Sequence, residues 1–350
     1  MQLAQTDRAR AFGPTRDRDL HSAPPDLLCR ETRLKPLAEL TADDECLDPV
    51  PYAYRSFDRQ WVLPDARLGD FMRPALWRVA GPRQVFLTSL LTNVLGPGPA
   101  AVATALVPDL DCFRGSFGAR AVIPLWRDAA ATVPNVDNQW LDRLTARYGF
   151  YVTPEALLAY CYALLATRGY VARFAEELRT PGPRIPLASD ADLFQRAARM
   201  GHRALALHTY QQVCTGRARC LADPGDAYPT AFSYEPREEL LQLGTGSFGP
   251  ITREVWDYSV SGLRVLPSWL RRRMPRTARS PLDGIGPAAW TPALSRELVE
   301  LVWLLEATLA IEPALDAVLS EIACEGESSA APLGPRPRRV AGRPRCPASL

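Results

Sequence analysis

"LQLGTGSFGP", residues 241–250, carries Gly244, Gly246 and Gly249 in a G-x-G-x-x-G spacing, and its reading decides the fold class. A dinucleotide fingerprint needs a buried strand before the first glycine and a helix opening at the third, because the helix N-terminus holds the pyrophosphate. Upstream, "REELLQL" (237–243) suits a strand or a short helix. Downstream, Pro250, Ile251 and Thr252 lead into "REVWDY", which alternates toward strand. No acidic residue closes a following β-α-β unit. The stretch reads as a turn that delivers "VWDYSVSGLRVL" (255–266) as a strand, and a doubly wound nucleotide-binding sheet is set aside.

On the N-terminal side, residues 46–150 fall into short apolar or alternating runs: "YAYRSFDRQWVLPD", "RQVFLTSLL", "ALVPDLDCF" and "ARAVIPLWR". Bounded by Pro, Gly and Asp, such runs predict strands joined by tight turns. The period then changes to helical. "VTPEALLAYCYALLATRGYVARFAEEL" opens with Thr153 as N-cap and Pro154 at the first helical position, predicting one helix over 153–178. "SDADLFQRAARMGHRALALHTYQQV" predicts a second, capped by Ser189 with Asp192 in the capping-box position, and Gly201 is expected to break or kink it. "PGPRIPL" between them is a rigid turn. "SWLRRRM" reads as a short basic helix, and Thr291-Pro292 starts a last helix through 311.

The expected organisation is therefore α+β: a β-rich N-terminal half, a helical middle and C-terminal helices. Residues 1–45 form a polar, proline-broken arm, 46–325 a single domain, and 326–350 a disordered basic tail. The two long leucine-rich helices, 153–178 and 291–311, read as scaffold in preference to a docking pair for a partner protein.

Composition removes several function classes. Net charge is +2, so global charge points neither toward nor away from a polyanion. Lys35 is the only lysine and no glycines precede it, which excludes a Walker A loop and disfavours nucleases built on two carboxylates and a lysine. No Asn-Pro-Pro-aromatic loop for amino methylation is present, nor a G-x-S-x-G nucleophile elbow. His202 and His208 are six residues apart and read as a surface and a packing histidine, not as metal ligands. The eight cysteines form no C-x-x-C pair and read as reduced, mostly buried and inert; no metal and no cofactor is expected. With no long apolar run and no signal peptide, the chain reads as cytoplasmic, away from membranes.

What remains is arginine. Arg55, Arg59, Arg67, Arg73 and Arg78 recur among Tyr52, Tyr54, Phe57, Trp61 and Trp77. Arginine supplies phosphate and bidentate guanine contacts beside which the aromatics could form a platform and wedge, but the favoured reading of the aromatics is core. Asp58 is expected to orient a neighbouring arginine. "DCFRGSFGARAVIPLWRD" (111–128) places Arg114, Ser116 and Arg120 beside Gly115 and Gly118, either a contact loop or an ordinary tight turn. "SGLRVLPSWLRRRMPRTARS" (261–280) is the densest cationic stretch, with Arg264, Arg271, Arg272, Arg273, Arg276 and Arg279, either a phosphate clamp or a solvated face.

Several phrases also occur in a specific order: "YRSFDRQWVLPD", "RPALWR", "VFLTSLLTNVLGPGPA", "PDLDCFRGSFGARAVIPLWRD", "LLAYCYALLATRGYVARFAEEL", "PGPRIPL", "VWDYSVSGLRVLPSWL", "SPLDGI" and "ELVWLLEATLAI". Over roughly residues 50–318 this set resembles the C-terminal specificity domain of type ISP restriction-modification enzymes. In those enzymes one polypeptide carries a nuclease, a helicase-like ATPase, an adenine methyltransferase and then this target-recognition region. The resemblance implies sequence-specific recognition of double-stranded DNA in restriction, methylation and phage defence, and no catalysis by this chain alone. A separately encoded methyltransferase or helicase-nuclease subunit is a candidate partner, and the resemblance leaves open whether the chain is such a subunit, a fragment or a remnant. The alternatives are an accessory of a split adenine methyltransferase acting in trans, and a degenerate remnant that binds nothing.

Gly246→Ala is expected to impair folding or DNA binding while leaving every nucleotide affinity unchanged. Titration with NAD and S-adenosylmethionine checks this: an affinity abolished by the change would reinstate the glycine motif.

Overall fold

The computed structural model of the chain describes residues 8–9, 11–28, 32–45, 47–225, 228–275 and 289–328. Arg276, Arg279, the phrase "SPLDGI" and the tail from 329 lie outside the described residues.

The decisive glycine stretch is a β-hairpin. Strand β8 (Leu240–Leu243) runs antiparallel to β9 (Gly246–Gly249), with Leu243 opposite Gly246. Only Gly244 and Thr245 connect them, and Gly244 takes φ +57°, the left-handed region that a two-residue hairpin loop requires. At Gly246 a Cβ would come within 2.5 Å of the Pro224 nitrogen, so close backbone approach explains that glycine. The hairpin belongs to a four-stranded antiparallel sheet with order β6-β9-β8-β7, where β6 is Arg219–Ala222 and β7 is Phe232–Glu235.

The stretch after the hairpin is not the expected strand. It forms a short helix (Arg253–Asp257), the two-residue strands β10 (Ser259–Val260) and β11 (Leu263–Arg264), then the basic helix Val265–Arg273. Thr252 explains the first helix: its hydroxyl accepts from the Val255 N–H as an N-cap.

In the N-terminal half, "YAYRSFDRQWVLPD" is the hairpin β1 (Val50–Arg55) and β2 (Asp58–Val62). A three-stranded antiparallel sheet, order β4-β3-β5, follows from β3 (Phe86–Thr88), β4 (Val102–Thr104) and β5 (Val122–Pro124). "ALVPDLDCF" is mostly loop and turn, not strand, apart from an isolated bridge between Ala53 and Pro108. The mixed α+β class holds, although the widest sheet follows the helical middle.

Helices we number in order: α1 Pro74–Trp77, α2 Asn138–Tyr148, α3 Pro154–Leu165, α4 Arg168–Arg173, α5 Ala191–His208, α6 Arg253–Asp257, α7 Val265–Arg273 and α8 Pro292–Ser328. The single helix expected over 153–178 breaks after Ala166, because the Thr167 hydroxyl accepts from the Gly169 N–H and starts a new one. The cap of α5 is Asp190, accepting from Leu193, rather than Ser189. Gly201 neither breaks nor kinks α5: it lies where α5 crosses α3, and a Cβ there would sit 1.7 Å from the Ala159 carbonyl oxygen.

Helix α8 runs on past 311 through Pro313, since Leu315, Val318, Leu319 and Ile322 remain buried beyond it. Packing overrides the usual helix stop at proline. Helices α3, α5 and α8 form the centre of the main core, with Tyr160, Tyr162, Phe194, Leu304 and Leu305 fully enclosed. His208 is buried there, bonded to the Tyr162 hydroxyl at 2.5 Å and to Thr308 at 3.0 Å, and burial pushes its pKa down to about 3. His202 is exposed, as expected of a surface histidine.

Among the described cysteines Cys112 is buried, but Cys220 and Cys324 are exposed, so "mostly buried" was too general. Trp61, at 70% exposure, likewise departs from the core reading of the aromatics, because on β2 it faces away from the sheet's covered side. Among the described residues no helix is long and apolar enough to cross a membrane.

Gly201→Ala is expected to destabilise the fold by about 1–3 kcal/mol, the cost of overpacking a close helix crossing. Urea unfolding checks it, with exposed Arg203→Ala as a near-neutral control on the same helix.

Candidate nucleic-acid interface

The β1–β2 hairpin sits between two other pieces of chain and is tied to both by charge. Arg55, at its end, is only 6% exposed; its guanidinium donates to Asp109 at 3.0 Å and Asp111 at 3.1 Å and packs over the Tyr54 ring. Ser56 in the turn donates to the Phe113 carbonyl at 2.7 Å. Both contacts fix the 109–120 loop to the hairpin. On the other side Asp58, 3% exposed, accepts two bonds from Arg273 of α7, the shorter 2.8 Å. Arg273 stacks on Trp269 at 3.6 Å and has Glu297 at 3.6 Å as a second partner. Arg272 donates to the Tyr54 hydroxyl at 3.1 Å. Buried charges persist only when paired in this way.

The sequence candidates therefore divide. Arg55 and Arg273 are internal, and Asp58 orients not its neighbour Arg59 but an arginine 215 positions away. Arg59 lies over the Tyr210 ring at 3.6 Å and pairs with Glu300 at 3.1 Å. Arg73, in left-handed backbone at the start of α1, donates to the carbonyls of Ala119 and Arg120. Burial lowers the pKa of its guanidinium from the ordinary arginine value. Arg264 pairs with Asp257 at 2.9 Å. Among the described residues Arg114, Arg120 and Arg271 make no ion pair; Arg120 and Arg271 are exposed and Arg114 is half-buried, its Nε without a partner. Ser116 is exposed beside Arg114.

The loop that carries three of these residues has an unusual backbone. Gly115, Ser116 and Phe117 take φ of +85°, +49° and +58° in succession. The Asp111 carboxylate stabilises this turn by accepting the Phe117 N–H. Against it stands Phe71, φ +56°, its ring 6.1 Å from that of Phe117. Sequence reasoning missed both rings as site residues, since neither lies in a periodic run. It missed Asp109 and Asp111 also, reading their segment as a strand.

Nothing in this cluster is primed for covalent chemistry. Burial and the nearby Asp109 push the Cys112 thiol well above its ordinary pKa, and the same two causes raise the Tyr52 phenol. Behind the hairpin a cavity of about 250 Å³ is lined by Thr88, Thr104, His208 and Tyr210. Among the described residues no group of three metal-ligating side chains forms. The arrangement offers cations, a hydroxyl and two phenyl rings on fixed loops. That is equipment for binding.

Asp58→Ala leaves Arg273 buried with Glu297, at 3.6 Å, as its remaining carboxylate partner among the described residues, and is expected to cost about 3 kcal/mol in urea unfolding. Asp257→Ala, which removes the exposed partner of Arg264, is expected to cost under about 1 kcal/mol. Equal losses would show that the buried pair does not anchor the hairpin.

Comparison with known proteins accords with this architecture. No curated protein matches the chain. Among solved structures it resembles the DrdV–DNA complex determined by cryoEM, with TM-score 0.58 and 19% identity over 78% of this chain and 28% of that one. It resembles a nuclease-deletion mutant of the Type ISP restriction-modification enzyme LlaGI, in complex with a DNA substrate mimic, with TM-score 0.57 and 15% identity over 79% of this chain and 21% of that one. A third is the ATP-dependent Type ISP restriction-modification enzyme LlaBIII bound to DNA, with TM-score 0.58 and 13% identity over 82% of this chain and 19% of that one. The chain thus spans under a third of the length of these proteins. Residues 2–301 match the family model of the Type ISP C-terminal specificity domain, so the match takes in the N-terminal stretch as well, and the chain belongs to that family.

Proposed function

We propose that this chain reads a sequence in double-stranded DNA as the specificity component of a Type ISP restriction-modification system, working in the cytoplasm in phage defence. The observation that carries the reading is the division among its arginines. Those that weld the hairpin are paired internally, whereas Arg114, Arg120 and Arg271 remain free of ion pairs among the described residues. Unpaired arginines on fixed elements suit phosphate oxygens and guanine edges, and Ser116 adds a hydroxyl that accepts or donates at a base edge. The DNA complexes of LlaGI and LlaBIII support the same reading.

In this scheme residues 46–325 are the recognition unit, with 1–45 an arm against it and the basic tail beyond 326 adding sequence-independent attraction. Cleavage, translocation and methyl transfer belong to methyltransferase and helicase-nuclease modules, in a separate polypeptide or elsewhere in a longer one. The chain by itself hydrolyses no ATP, transfers no methyl group and needs no cofactor.

Selection from a random duplex pool at graded salt tests this. One sequence should enrich, and log affinity should fall linearly with log salt. Arg120→Ala and Arg271→Ala should each lower that slope by about 1 if they contact phosphates, leaving the selected sequence unchanged. No enrichment, with binding indifferent to salt, would refute the proposal.

A further inference from the structure

Phe71 and Phe117 are 54% and 51% exposed, and they touch each other rather than the core. Each sits in left-handed backbone, at φ +56° and +58°, where a bulky side chain is a steric outlier. Strain at such positions persists only where the surroundings enforce it, and it gathers at working surfaces. Phe57 provides the internal contrast. It too is left-handed, at φ +62°, but its ring is buried and packs edge-on against His208 at 5.0 Å, so packing accounts for it. No burial accounts for Phe71 and Phe117.

Both loops are held in place. The Phe71 N–H donates to Asp17 at 3.3 Å, and Trp77 Nε1 donates to the Met72 carbonyl at 2.7 Å. Arg73 ties the two loops together through the Ala119 carbonyl at 2.8 Å and that of Arg120 at 3.2 Å. The nearby carboxylates are occupied: Asp70 by Arg18 and Thr15, and Asp109 and Asp111 by Arg55. Arg114 and Arg120 are left beside two apolar rings, so the patch is cationic and apolar together.

We infer that Phe117, braced by Phe71, is an apolar wedge that enters a base step of the bound duplex, with Arg114 and Arg120 on the adjacent phosphates. This inference rests on the DNA-recognition reading above. The rings lie at 69° to one another, so both cannot stack parallel to the same base pairs. Phe117 ends the run of three left-handed residues and is the ring that inserts; Phe71 supports its edge. Apolar side chains used in this way part stacked bases and kink the duplex, and the extra protein contact that follows offsets the unstacking. Such a device adds sequence preference without a hydrogen bond to any base, because flexible pyrimidine–purine steps open most readily.

The test uses the duplex enriched from the random pool, with 2-aminopurine placed at each position in turn. Wild-type protein should raise the fluorescence several-fold at one step and should bend the duplex in a circular-permutation gel assay. Phe117→Ala should abolish both signals and weaken binding about tenfold while keeping the salt slope. Phe117→Leu, still an apolar wedge, should retain both, and Phe71→Ala should reduce them. Both positions are exposed, so the variants should melt at the wild-type temperature. Wild-type binding with no fluorescence rise at any step, or a rise unchanged in Phe117→Ala, overturns the wedge and leaves recognition standing. If no duplex enriches at all, recognition and wedge fall together.

Discussion

The structure depends on two buried guanidinium groups, Arg55 and Arg273, whose carboxylate partners meet them at one hairpin. Arg55 holds the loop containing Asp109 and Asp111, while Asp58 holds Arg273 of the basic helix. A carboxylate or guanidinium removed from water is costly, so each group is tolerable only while its partner is in place. That constraint fixes where three distant segments stand relative to one another. It also decides the direction of the remaining arginines, since the loop beyond Asp111 and the exposed side of α7 leave the weld outward.

A second constraint comes from the helices. With Gly201 allowing close approach, α5 lies against α3, and α8 packs across them over a length that a helix stopping at Pro313 would not provide. The hydrophobic effect supplies the bulk of the driving force here, and the resulting scaffold is rigid enough to hold irregular loops. The left-handed turn at 115–117 is such a loop. It costs conformational energy locally, and the Asp111 carboxylate and the Arg73 guanidinium hold it against relaxation.

Local chemistry was legible in the sequence and distant pairing was not. Pro250 directly after the third glycine, where a fingerprint helix would have to open, identified a turn, although the Thr252 cap just beyond it was overlooked; Thr153-Pro154 and Thr291-Pro292 identified two helix starts. Misreadings arose where two local signals competed, as when Thr167 opened a new helix inside a continuous apolar pattern, or where tertiary packing carried α8 across a proline. Among the site residues, the sequence singled out Arg55, Arg114, Arg120 and Arg273 alike. An internal arginine and an exposed one have the same local pattern, and only partners 54 and 215 residues away separate them. Phe71 and Phe117 were invisible for the same reason, because exposure is set by the loop that carries a ring and not by its neighbours in sequence.

On the proposed recognition reading, the loops around residues 69–73 and 112–120 face the DNA. Hydrogen–deuterium exchange, with and without the duplex enriched from a random pool, measures this directly. Slowed exchange is expected of the amides in those two loops and at the C-terminal end of α7, with the β7–β8 turn at 236–239 unaffected. Slowed exchange confined to the four-stranded sheet, with the two loops unchanged, would contradict it.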